Sequence, residues 1–463
     1  MTHLDATAAV AVDAPARPSF AKATRVWARI GWLSFGGPAG QIALMHRELV
    51  EARRWISESR FMHALSYCML LPGPEAQQLA IYIGWLMHRT AGGIVAGILF
   101  VIPGFIVILV LSWLYAVYGH VPAIAAVFFG LKAAVLAIVV EAVLRIGKRA
   151  LKNRPMLAVA CAAFAAIFFL KIPFPLIVLG AGLCGAVAHR FLPQFFTADE
   201  KKYDVNDDRY TIDGLIKRQE LAHIHPYTPR ALATLVICLV LWFLPVVGVA
   251  VWLGFGSVLA QEGFFFSWAA VVTFGGAYAV LAYVAQQVVE KFAWVTPGQM
   301  MDGLALAETT PGPLIMVVQF VAFLAAYQHP GSLSPVLAGV VGSLLTTWVT
   351  FVPCFLWIFL GAPYIEALRA HRALRAALAA ITAAVVGVIL NLSVWFALHT
   401  IFGRVDERHY GAIHLQVPEW GTIDAGAAAL SSAALIAMLR YKVPIGWTLG
   451  GCALLGGAFR FLM

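Results

Sequence analysis

Apolar residues fall along this chain in long runs, punctuated by glycine, proline or charge, with neither the alternation of a half-buried strand nor the polar stripe of a surface helix. Gly93 to Ala116, Ala231 to Gly254 and Val336 to Leu360 approach or exceed the roughly 20 residues needed to cross a hydrocarbon core as a helix. A membrane β-barrel would alternate polar and apolar positions, and these runs are unbroken Ala, Val, Leu, Ile and Phe. Reading from one punctuation to the next predicts helices near 24–45, 62–88, 91–118, 122–145, 155–171, 173–190, 231–253, 264–289, 301–328, 331–360, 375–402, 424–439 and 443–462, thirteen in all. The pairs 155–171/173–190 and 424–439/443–462 are short for independent spans and read as tight hairpins of tilted helices.

The pattern occurs twice. Ser34-Phe35-Gly36-Gly37 returns as Thr273-Phe274-Gly275-Gly276 and Pro72-Gly73-Pro74 as Pro311-Gly312-Pro313, both 239 residues later. Glu51, Trp55, Met62 and Leu65 match Glu290, Trp294, Met301 and Leu304 in the same register. Further on the offset becomes 250, so that Pro103 and Phe105 match Pro353 and Phe355, and Glu141 matches Asn391. The extra residues fall at Gln328-His329-Pro330-Gly331-Ser332, a loop by composition. The expected organisation is an N-terminal arm (1–20) without fixed structure, a first membrane repeat (21–190), a charged cytoplasmic linker (191–230), an extra helix (231–258) and a second repeat (259–463).

Charge assigns the sides. With a cytoplasmic N-terminus, Arg145, Lys148, Arg149, Lys152, Arg154, Arg369, Arg372, Arg375, Arg440 and Lys442 fall inside, while the loops near 119–122, 254–263 and 328–334 hold no Lys or Arg. The exception is 46–60, whose Arg47, Arg53, Arg54 and Arg60 would face outward unless the first hairpin fails to cross. Seven predicted spans separate equivalent points of the two copies, and an odd number inverts the second. The fold expected is therefore all-α and polytopic, two inverted-topology repeats with broken helices.

Composition agrees with lipid: 61% of residues are hydrophobic and 12% charged, against roughly a quarter charged in soluble proteins. The net charge of +9 is spread through short loops, with no basic stripe of the kind nucleic acid requires. The six cysteines stand singly in apolar stretches, which argues against a metal site or disulfide frame. No nucleotide motif or His/Cys cluster is apparent, so neither a cofactor nor a metal is expected.

Glycine and proline inside an apolar helix free backbone groups that lipid tolerates only where they face protein or a polar cavity. Pro38 and Pro74 suit the first turn of a restarted helix, whose bare N–H groups and positive dipole end favour a small anion. The candidate substrate-binding set is Ser34, Gly36, Gly37, Gly73, Thr273, Gly275, Gly276, Thr310 and Gly312 at the breaks. Gln77 and Gln78 join it as amide donors, Arg53 and Arg54 as guanidinium donors, and Lys132 as a charge at membrane depth. Glu75, Glu141, Asp302 and Glu308 are proton-coupling candidates, Glu141 alternatively pairing with Arg145 one turn on. The second copy has Leu314, Ile315, Met316 and Val317 where the first has Glu75, Ala76, Gln77 and Gln78, so the copies have specialised.

Ser34-Phe35-Gly36-Gly37-Pro38, Arg54-Trp55-Ile56, the run Leu70 to Ala80, Gly84-Trp85 and the repeat Thr310-Pro311-Gly312-Pro313 resemble the long-chain chromate ion transporter family over about 24–403. The resemblance implies a multi-pass protein of the bacterial inner membrane that exports chromate, with sulfate as a chemical analogue, and so confers chromate resistance. Expected partners are that oxyanion and the lipid bilayer; nucleic acid is not expected, and a homodimer is left open. Uptake or exchange of sulfate or another anion on the same scaffold and a membrane-embedded reductase are the competing readings.

Overall fold

A Ser or Thr side chain caps each of four short helices that begin at the ends of the bundle. Ser19 caps α1 (Phe20–Leu33), Ser57 caps α3 (Glu58–Cys68), Ser257 caps α10 (Val258–Val272) and Thr296 caps α12 (Pro297–Thr309). Each stops at one of the glycine or proline strings and is followed by a helix that turns back. The structure, a computed structural model, describes residues 17–191, 210–217, 221, 227–274, 276–364, 372–411 and 413–462. Most of the 1–20 arm and of the 191–230 linker lies outside the described residues, as does Gly275.

The returning helices are α2 (Gly37–His46), the first arm of α4 (Glu75–Tyr118), α11 (Ala277–Gln286) and α13 (Val317–Gln328), the last preceded by a 3-10 turn at Leu314–Met316. Side chains prove the reversals. Arg29 lies 3.8 Å from Glu48, whereas a continuous rod would separate them by about 28 Å at 1.5 Å per residue. Phe265 and Phe292 have ring centroids 5.3 Å apart, where a rod would give about 40 Å. The α4 arms reverse at His88 and Arg89, the latter at φ 55°, and a Cβ on Gly84 would lie 2.5 Å from the Gly92 carbonyl oxygen. Only glycine allows that approach.

The remaining helices are α5 (Pro122–Ala150), α6 (Arg154–Leu170), α7 (Phe174–Phe191), α8 (Thr211–Lys217), α9 (Thr228–Leu253), α14 (Pro335–Gly361), α15 (Arg372–Ile401), α16 (Ala425–Leu439) and α17 (Ile445–Leu462). Among the described residues, six helices are long and apolar enough to cross a membrane. The predicted apolar runs all find helices, but four of them are hairpins that enter and leave at one end. Counting the shorter α6 with α4, α5, α7 and α9, five apolar helices among the described residues then separate the equivalent points where the sequence suggested seven, and because five is also odd the second copy remains inverted.

Re-entry also explains the charge exception. Thr211 and Ile212 of α8 donate to the carbonyls of Arg54 and Trp55 (3.1 and 2.9 Å), and Asp213 accepts from the Ser57 amide and the Arg60 guanidinium. The 46–60 segment therefore shares the linker's end of the bundle, with the other basic loops, and the positive-inside rule holds there.

The duplication is visible in backbone detail. A π-helical turn follows each first hairpin, at Arg47–Ala52 and Gln287–Lys291. Arg54 and Ala293, 239 apart, both take positive φ (52° and 51°), and Trp55 and Trp294 each donate to a carbonyl six residues back at 2.8 Å. One element lies outside the all-α expectation: an antiparallel hairpin of β1 (Val405–Tyr410) and β2 (Ile413–Pro418), turning at Gly411 with φ 64°. It sits at the end opposite the linker, where Lys171 joins Glu407 (2.8 Å) to Glu290 (3.2 Å).

Candidate functional site

The four hairpin tips meet, and they meet crosswise. The Gly312 amide of the second repeat donates to the Ser34 carbonyl of the first (2.9 Å), and the Gly73 amide of the first donates to the Thr273 carbonyl of the second (2.9 Å). Each Pro-Gly-Pro turn is also seated on a helix of the other copy. A Cβ on Gly312 would lie 3.0 Å from Gly104 Cα in α4, and one on Gly73 3.0 Å from Cys354 Sγ in α14. Gly104 and Cys354 are equivalent at the 250 offset. Gly312 and Gly73, at φ 98° and 118°, occupy a region that side chains strain to reach.

The returning helices begin without side-chain caps. Gly36 precedes α2, Pro74 precedes α4, Gly276 precedes α11 and Pro313 precedes the 3-10 turn, and none makes a capping hydrogen bond. The outer starts are capped by Ser or Thr, so bare N–H groups are concentrated at the crossing. Two carboxylates of this chain stand there. A Cβ on Gly276 would lie 3.7 Å from Glu75 Oε1, and one on Gly37 4.0 Å from Glu308 Oε2. Each carboxylate thus faces the break glycines of the opposite repeat. Tyr278, two residues past Gly276, donates to Glu308 Oε1 (2.5 Å) and links the two crossings, while Glu308 Oε2 has no hydrogen-bond partner among the described residues. Gly36, Gly37 and Gly276 are only partly buried.

Other candidates take varied places. The hydroxyls of Ser34 and Thr273 turn back onto the carbonyls of Ile30 (2.6 Å) and Ala269 (2.5 Å), leaving their own carbonyls to hold the crossing. Thr310 is buried and donates weakly to Ala307 (3.4 Å). Gln78 braces the first Pro-Gly-Pro turn through the Pro72 carbonyl (2.7 Å). Gln77 is fully buried, neither amide atom has a hydrogen-bond partner among the described residues, and it borders an apolar crevice of about 490 Å³. Lys132, Asp302 and Tyr115 form a separate cluster, with Lys132 Nζ 3.3 Å and Tyr115 Oη 2.7 Å from Asp302 Oδ2. Glu141 pairs with Arg145 at 3.4 Å, the structural alternative for that residue.

Arg53 and Arg54 are not brought to the crossing. Arg53 pairs with Glu48 and lies 5.9 Å from the Trp55 ring centroid, and exposed Arg54 sits beside α8 at the bundle end, a full α3 length from the tips.

Sequence reasoning missed three polar residues. Gln41 donates to the carbonyls of Gly312 (2.5 Å) and Ser34 (3.5 Å), tying both sides of one crossing together. Tyr278 holds Glu308, and Glu262 is fully buried in α10 against Gly342 with both carboxylate oxygens unpartnered among the described residues. Gln41 lies one turn past the first break and Tyr278 two residues past the third, so closeness to a break was the signal available for those two; Glu262, well before the third break, offered none. Glu407, His409 and His414 of the β-hairpin also bring ligand atoms within 4.8 Å of one another, but Lys171 and His414 already engage Glu407.

Comparison with known proteins gives one consistent result. A family model described as chromate transporter matches residues 21–186 and 260–457. A chromate transport protein of Pseudomonas aeruginosa is 32% identical over 389 residues, covering 83% of this chain and 82% of the relative. One from Cupriavidus metallidurans is 29% identical over 398 residues (86% and 87%), and a probable chromate transport protein of Synechococcus elongatus is 27% identical over 349 residues (75% and 77%). No solved structure matches the chain.

Proposed function

The chain belongs to the chromate transporter family, and from that premise we propose that it exports chromate, a tetrahedral dianion, through the crossing of its four hairpin tips. The observation that carries this reading is the convergence of four uncapped helix starts from two inverted repeats. Each such start offers an anion up to about 2 kcal/mol when partly buried. Gly36, Gly37 and Gly276 supply the close backbone approach.

Glu75 and Glu308 occupy in the resting protein the place of the anion. A carboxylate at a helix start is favourable, so chromate gains the position only when the carboxylate is protonated or withdrawn. Binding of the dianion is thereby tied to proton uptake at the two glutamates. The membrane potential pushes outward only the net negative charge that remains after any protons that accompany the anion, about 2.3 kcal/mol per net charge per 100 mV. Transport in this scheme makes and breaks no covalent bond, which separates it from a reductase.

Inverted vesicles loaded with protein and given labelled chromate test the reading. Accumulation driven by a pH gradient or potential is expected, with Glu75→Gln and Glu308→Gln losing its pH dependence. Flux only in the opposite direction, with sulfate preferred, would establish the uptake alternative instead.

A further inference from the structure

Four cations line one cleft at the linker end of the bundle, away from the crossing. Arg145, Lys148 and Arg149 follow Glu141 at helical spacing along one face of α5, and Lys442 joins them from the turn between α16 and α17. The cleft encloses about 550 Å³, with Met438 and Pro444 as its apolar wall. Lys442 is held in the left-handed region at φ 54°, and the adjoining Val443 amide donates to the Ala437 carbonyl (3.1 Å), so the turn that presents it is fixed.

Only Arg145 is paired, by Glu141; among the described residues Lys148, Arg149 and Lys442 have no ion-pair partner. The positive-inside rule accounts for basic residues at this end but not for their enclosing a cavity.

We propose that this cleft is a second oxyanion site, a cytoplasmic antechamber that collects a doubly charged tetrahedral anion before it passes to the hairpin tips. The proposal rests on the transport reading above for its direction but not for its binding chemistry. Arg149 can grip two oxygens in parallel, and the two lysines act as mobile point charges. Like-signed charge around a cleft raises the local concentration of a counter-ion in a salt-dependent way. The same donors suit the phosphate of an anionic lipid, since the cleft lies at the end of apolar helices α5, α16 and α17.

Equilibrium binding of labelled sulfate to the purified protein at low and high ionic strength tests the site without transport. A salt-sensitive class of binding is expected in the wild type and lost in Lys148→Gln/Arg149→Gln/Lys442→Gln. The charge-retaining Lys148→Arg/Arg149→Lys/Lys442→Arg should restore it, which guards against misfolding or altered topology. In phosphatidylcholine vesicles the neutral triple variant should raise the KM for chromate about tenfold, with the loss recovered at saturating chromate and in the charge-retaining variant.

If added phosphatidylglycerol abolishes the salt-sensitive sulfate binding of the wild type alone, the cleft's anion is the lipid phosphate. Binding and KM unchanged by the neutral triple variant in both lipids would overturn the proposal. Salt-sensitive sulfate binding in a protein that carries no chromate would sink the transport reading and leave this site standing.

Discussion

The two hairpin pairs share a backbone and differ in what they place upon it. Both carry the π-turn, the positive-φ residue before the buried tryptophan, and the glycine amide that crosses to the other copy. In the first repeat the returning helix restarts as a regular α-helix with Glu75, Gln77 and Gln78; in the second it restarts as a 3-10 turn of Leu314, Ile315 and Met316, and the carboxylate, Glu308, comes before the turn. Asp302 of the second repeat is held by Lys132 and Tyr115 of the first, whereas the first repeat has buried His63 at the position equivalent to Asp302. Backbone geometry makes the anion socket and must be kept in both copies. Side chains decide when each socket is open, and unequal side chains give the two faces of an inverted pair unequal roles.

The largest effect should come from the crossing itself. Gly312→Ala sets a Cβ against the Gly104 backbone, while Gly73→Ala meets the movable Gln78 and Cys354 side chains. Both incur the positive-φ penalty of about 1–3 kcal/mol, so transport should fall at least about tenfold in each and further in Gly312→Ala. Equal losses in vesicle flux would mean that backbone strain alone matters. Next, Glu75→Gln and Glu308→Gln should each flatten the pH dependence of chromate flux, with a loss of about tenfold under a pH gradient and less under an imposed potential. A variant with unaltered pH response would drop out as a coupling residue.

Asp302→Asn should cost about 2 kcal/mol, less than a fully buried pair because the Lys132 side chain is 27% exposed. Thermal unfolding in detergent reads this, and His63→Asn at the equivalent place should cost less. The smallest effect is expected at the β-hairpin. The Lys171 hydrogen bond holds the Glu407 carboxyl below the usual carboxylate range, helped by His414. A depressed folded-state value stabilises above the unfolded value and is lost as pH falls through the folded one. Amide exchange over 405–418 should therefore quicken only at acid pH, and Lys171→Met should remove that pH dependence.

Much of the site could be read in the chain, for a physical reason: glycine and proline strings in apolar runs declare broken helices, and their recurrence declares two copies. Gln41 and Tyr278 escaped because each lies in an otherwise ordinary stretch and matters only through a partner in a distant segment, Gly312 for one and Glu308 for the other. Arg53 and Arg54 looked suited to an oxyanion because residue type shows chemistry without depth, and folding leaves them at the bundle end.

By itself the sequence determined the membrane habitat, the duplication, the places where helices break and, through an odd number of crossings, the inversion of the second copy. Only the tertiary structure decided that four apolar runs turn back at mid-depth and that each Pro-Gly-Pro turn is received by the opposite repeat. Hydrophobicity reports burial in lipid or protein and is blind to direction, so a crossing helix and a folded-back pair read alike. Which amide meets which carbonyl across 200 residues and more is settled by packing alone.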